Sequence, residues 1–242
     1  MSAIDSLIRI LLMGILSLLL WTPVLCSLIL LATPPSSRFW LRFISLISTA
    51  IVLLVCIGLF SLYNPSSDLQ WREYLAVNPV DIGSTYTLGI DGLSMPMLLL
   101  TSLLGWAASL LKSPPQYPKA YYFCLLILQA SMLGVFLAQN WILFYIFWEV
   151  ALLCVYLLIG LWGGKRRNIA NLSFVIHALI GSIAMLISLL ALGDYHFHHS
   201  DPLITTLHEP VKAIPSTSQL LILIGFLIGF GIQLPIDRKS VV

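Results

Sequence analysis

Charge is what this chain has least of: Asp, Glu, Lys and Arg make up 9% of its 242 residues. A water-soluble domain carries roughly 25%, so a soluble globular fold is excluded. Cysteine is nearly as scarce. The four present, Cys26, Cys56, Cys124 and Cys154, all fall inside apolar runs at wide, unpatterned spacing, which excludes a disulfide framework and a zinc motif. No Walker, Rossmann, haem or iron–sulfur pattern occurs anywhere. Redox chemistry is therefore not expected within the chain, which is read as holding no cofactor and no metal. The formal charge of +2 calls for no nucleic-acid partner.

What fills the sequence instead is apolar. Hydrophobic residues reach 59% and the mean hydropathy is +0.98. A bilayer core takes about 20 apolar residues per helix, and seven stretches approach that length: 10–32, 43–63, 93–111, 120–138, 141–161, 170–192 and 219–234. None alternates with the period of a membrane barrel, and backbone groups in lipid must be satisfied within their own segment, so the expected fold is an all-α membrane bundle of about seven spans. The first stretch is longer than a signal-peptide core and is read as a retained span. With seven spans, Arg38, Arg42, Lys112, Lys119, Lys165, Arg166, Arg167, Arg238 and Lys239 fall on one face, and only Arg9, Arg72 and Lys212 on the other. The positive-inside rule then puts the amino terminus outside.

One residue in this apolar landscape is out of place. "YIFWEVALLCVYLLIGLW", Tyr145–Trp162, is apolar except for Glu149 near its middle. A full charge at that depth costs about 2.5–3.5 kcal/mol on insertion scales. Low-dielectric surroundings disfavour the charged form of a carboxyl, so such a group suits proton exchange near neutral pH. Tyr145, four residues before, and Tyr156, seven after, share its helical face and extend a hydroxyl path. The bland alternative is a neutral carboxyl tying two helices together. His177, with Ser173 and Ser182 nearby, is a second candidate relay, or else a neutral hydrogen-bonding histidine. The loop "GDYHFHHSDPLITTLHEP" gathers His196, His198, His199 and His208 without a ligand spacing, and is read as a polar loop. In the last span, Gly225 and Gly229 have the spacing of closely packed membrane helices. Gln233 then precedes a helix break at Pro235.

Three strings, "TLGIDGLSMPMLLLTSLL", "LFYIFWEVALLCVYLLIGLWGGKRR" and "GFLIGFGIQLPI", resemble the antiporter-like membrane subunits of respiratory complex I. Among these they are most similar to the chain 4 subunits of cyanobacterial and plastid NAD(P)H–quinone oxidoreductases. The resemblance runs from the first span to Pro235. It implies a proton-translocating subunit of the thylakoid or bacterial inner membrane, working beside other membrane subunits, while NAD(P)H and quinone, plastoquinone by this branch, are used by partner subunits. It implies three leading helices over 1–113 and an incomplete first antiporter-like repeat over 114–242. Glu149 takes the place of the family's fifth-span carboxylate.

Three departures accompany the resemblance. The family's seventh-span lysine is replaced by Gln233, a neutral group that cannot tune a nearby carboxyl as an ammonium does. A proline five residues after the glutamate is replaced by Cys154, which is expected to straighten the fifth helix. The sequence ends at Val242, before a second repeat, and is expected to be a truncated member, a split subunit or a degenerate copy. Two alternatives stay open: a non-pumping structural remnant, and a subunit of a multi-subunit cation/proton antiporter.

Overall fold

In the computed structural model, residues 14–34, 37–65, 69–75, 86–111, 114, 116–197 and 215–233 are described. They form seven helices: α1 (Ile15–Ala32), α2 (Arg38–Leu62), α3 (Ser94–Leu110), α4 (Pro118–Leu137), α5 (Trp141–Trp162), α6 (Arg167–Phe197) and α7 (Ser216–Gln233). Each coincides with one of the apolar stretches. Five are long and apolar enough to cross a bilayer, whereas α3 and α7 are apolar but shorter. The protein is a multi-pass integral membrane protein.

The first compact unit comprises α1–α4 and α5 as far as Leu158; the second holds the end of α5, α6 and α7. In the first, α1 packs on α4 and α2, and α3 packs on α2 and α4. Two apolar cores tie the helices together. One joins Leu16, Leu20, Val52, Leu98 and Leu133, and the other Leu30, Leu41, Tyr122 and Leu126. Lipid tails are as apolar as leucine, so helices within a bilayer associate through packing and interhelical hydrogen bonds rather than water exclusion.

The all-helical expectation misses one element. Strands β1 (Gln70–Leu75) and β2 (Tyr86–Ile90) pair antiparallel, Glu73 facing Leu88 and Leu75 facing Tyr86. The register shifts between Gln70 and Glu73, where Trp71 takes a left-handed φ of 49°. A bulge of this kind breaks the in-and-out alternation by which a strand is recognised. β2 leads into α3 through "GIDGLS": the Asp91 carboxylate accepts the backbone N–H of Leu93 (3.0 Å) and Ser94 (2.6 Å), and Ser94 Oγ accepts the N–H of Asp91 (2.8 Å). This reciprocal pair satisfies donors that a helix start leaves open.

The hairpin also fastens α1. Glu73 accepts hydrogen bonds from Leu16 N (2.6 Å), Ser17 N (2.9 Å) and Ser17 Oγ (2.5 Å). A carboxylate there satisfies orphan amides and meets the positive end of the helix dipole. Tyr86 OH completes the joint, lying 3.2 Å from Ser17 Oγ and accepting from Trp21 Nε1 at 3.2 Å.

The second unit packs α6 against α7. At the crossing, a Cβ on Gly181 would stand 3.0 Å from the Gly229 carbonyl oxygen, one on Gly229 3.0 Å from Met185 Cβ, and one on Gly225 would collide with Ser188 Oγ. The glycine spacing of the last span is used as its pattern implies, for close approach.

Candidate functional site

The helix that carries Glu149 starts from a fixed point. Asn140 Oδ1 accepts the Ile142 N–H at 2.8 Å, capping α5. Next to it, Gln139 N donates to the Thr87 carbonyl at 2.9 Å, and Ala138 bridges Leu88. The α4–α5 connection is thus bound to the hairpin, and Gln139 and Asn140 are both buried. Sequence reading does not single out this pair. The available signal is an Asn standing immediately before the first residue of an apolar run, a preferred cap position.

From this anchor α5 runs unbroken for 22 residues. Glu149 lies eight residues in, about 12 Å along the axis at 1.5 Å per residue. No break interrupts the helix near it or at Cys154. One face of α5 packs inward: Leu143 and Phe147 lie against the first core, and Ala151 and Cys154 are buried. Phe147 approaches α4 so closely that a Cβ on Gly134 would overlap its ring. Glu149 is two residues from Phe147, about 200° around the helix, and so points away from that packed face. It is half-buried, whereas Tyr156 is exposed. Tyr145, Glu149 and Tyr156 thus form one stripe on the side of α5 turned from α4.

The remaining candidates lie in the second unit. His177 is exposed on α6 and its ring Nδ1 lies 2.6 Å from the Ser173 carbonyl oxygen. A carbonyl can only accept, so in this geometry the proton is on Nδ1 and Nε2 is the acceptor of the neutral ring. Ser173 Oγ is 3.5 Å from the same nitrogen. Ser182, grouped with His177 in the sequence, is instead buried on another face of α6. Gln233 is the last residue of α7. Pro235 and the histidines at 198, 199 and 208 lie outside the described residues. Among the described residues no cluster of His, Cys, Asp and Glu has the arrangement of a metal site.

Residues 138–236, which include α5 and every candidate side chain, match the family described as NADH:quinone oxidoreductase/Mrp antiporter, transmembrane. The chain is 35% identical over 205 residues to NAD(P)H-quinone oxidoreductase chain 4 of Prochlorococcus marinus, covering 82% of this chain and 36% of the relative. It is 37% identical over 164 residues to the chloroplastic chain 4 of Chaetosphaeridium globosum, covering 67% and 32%. The chain therefore spans about a third of the length of these curated relatives. Its fold is similar to a chain of respiratory complex I from Thermus thermophilus, with TM-score 0.74 and 23% identity, over 91% of this chain and 44% of that one. It is also similar to a chain of the Mrp complex from Dietzia, with TM-score 0.70 and 17% identity, over 90% and 23%.

Proposed function

The chain belongs to the antiporter-like membrane subunits of complex I-type assemblies, and on that premise we propose that it supplies part of a proton route in an NAD(P)H–quinone oxidoreductase. The observation that carries this reading is Glu149, a carboxyl set deep in an apolar helix within the family segment. An intramembrane ionisable group is retained against its insertion cost when it handles protons, ions or substrate. Tyr145 and Tyr156 extend hydrogen bonding along its helix, and His177 and Gln233 are further polar groups of the route. The chain contributes no redox centre. NAD(P)H and quinone are handled by partner subunits, and the cyanobacterial and chloroplastic relatives favour plastoquinone and a thylakoid or bacterial inner membrane.

The test is made in sealed membranes that contain the chain in its assembly. Native electrophoresis establishes that the tagged chain migrates with an NAD(P)H-oxidising complex. Glu149→Gln, which keeps the shape and removes the titrating group, should leave that assembly intact and abolish the share of NAD(P)H-driven proton uptake that depends on this chain. Full uptake in the variant would refute the role.

A second reading, a subunit of a cation/proton antiporter, is favoured by the family description and by the likeness to the Mrp complex fold. Proton release driven by sodium, in the absence of NAD(P)H, would select it.

A further inference from the structure

A seam of neutral polar groups is buried between α2, α3 and α4, apart from the Glu149 stripe. Thr49 Oγ1 of α2 and Ser109 Oγ of α3 hydrogen-bond at 3.0 Å, both fully buried. One turn further along α3, Gly105 faces α4, where a Cβ would stand 2.6 Å from Gln129 Cδ and 2.7 Å from Nε2. The glycine admits the Gln129 amide into the helix interface. Gln129 is 3% exposed, and no described residue hydrogen-bonds its Nε2 or Oε1.

Two turns before it on α4, Tyr122 is wholly buried against Leu30, Leu41 and Leu126, with Ile44 packed beside it, and its hydroxyl also lacks a described protein partner. Ser45 and Ser48, each one turn beyond those α2 residues, are buried with their hydroxyls in the same condition. A serine can turn back onto its own helix, as Ser102 does toward Leu99 and Ser109 toward Trp106. Gln129 and Tyr122 reach too far from their backbone to do so. Polar groups this deep in native proteins are almost always hydrogen-bonded, and where protein supplies no partner, ordered water does.

We propose that the α2–α3–α4 interface binds ordered water, held by Gln129 and Tyr122 and continued through the Thr49–Ser109 pair toward the end of α3. The described groups along the seam, Gln129, Tyr122, Ser45, Ser48, Thr49 and Ser109, are uncharged, and together they donate and accept, which suits water rather than an ion. The seam begins beside Leu110, whose carbonyl takes the Arg42 guanidinium at 2.6 Å, and reaches Gln129, eleven residues into α4 and about 16 Å deep. It is a hydrated path from the basic end of the bundle to mid-membrane, independent of Glu149.

The experiment is X-ray radiolysis of the chain in its membrane in oxygen-18 water, with peptide mass spectrometry. Radicals form on bound water and modify the side chain beside it, so buried Tyr122 should gain oxygen, as exposed Tyr117 does. That labelling should be lost in Gln129→Leu and in the Ser45→Ala/Ser48→Ala double variant. Labelled Tyr117 beside unlabelled Tyr122 in the unaltered chain would overturn the proposal, whatever the stability of the variants. Persistent Tyr122 labelling in a folded Gln129→Leu chain would overturn the role of Gln129.

Discussion

Two glutamates in this chain meet the same problem, a carboxylate beside apolar helices, in different ways. Glu73 is surrounded by donors: two backbone amides and a hydroxyl of α1 converge on it. Its hydrogen bonds hold the start of α1 on the hairpin. Glu149 is instead half-buried eight residues into α5, within an otherwise apolar run and away from any helix start. The Glu73 joint is structural and should appear in stability: Glu73→Ala is expected to cost about 1.5–3 kcal/mol, the range for hydrogen bonds to a charged group. Thermal unfolding of the solubilised protein checks this, and an unchanged transition temperature would remove Glu73 from the account. The two differ in legibility as well. Glu149 is visible in the sequence because nothing polar surrounds it. Glu73 stands in an ordinary polar stretch and its partners lie 56 and 57 residues away, two of the three of them backbone amides, where side-chain identity carries no signal.

At the scale of elements, the helices were legible because lipid leaves the backbone few choices: a long apolar run must satisfy its own hydrogen bonds. The hairpin falls outside that constraint. Its strands are six and five residues long, bulged at Trp71, and completed by Gln139 from a distant connection. Helix contacts were legible only in part. The Gly225/Gly229 spacing announced close packing, and α7 uses it against α6. Gly134, with no such spacing, performs the same task for the helix that bears Glu149. A methyl at 134 would put Cβ 2.6 Å from Phe147 Cδ1. Gly134→Ala is therefore expected to destabilise by about 1–3 kcal/mol, the usual cost of overpacking. Adding Phe147→Leu should recover part of that loss. Such recovery, read as a non-additive double-mutant cycle, assigns the cost to this contact; strictly additive losses would place it elsewhere.

For the molecule as a whole, the distribution of basic residues does more than set direction. In a chain that alternates from an outside amino terminus, α1, α3 and α5 all end on the inner face. A helix end presents unpaired carbonyls and partial negative charge. Lys119 Nζ donates to Leu31 O of α1 at 2.5 Å, Arg42 to Leu110 O of α3 at 2.6 Å and Arg167 to Leu161 O of α5 at 2.9 Å. Cations that the positive-inside rule keeps on one side thus also close the helices that end there, each by about 0.3–1 kcal/mol. The orientation is directly testable, because Gly164, beside Lys165, is exposed with open space around its Cα and tolerates a larger side chain. In sealed vesicles with the native outer face outward, a membrane-impermeant thiol reagent should label Arg72→Cys, exposed on β1. It should reach Gly164→Cys only after the membrane is opened. The reverse pattern would invert the topology, and the three lysine and arginine caps would then face the side that the positive-inside rule leaves without them.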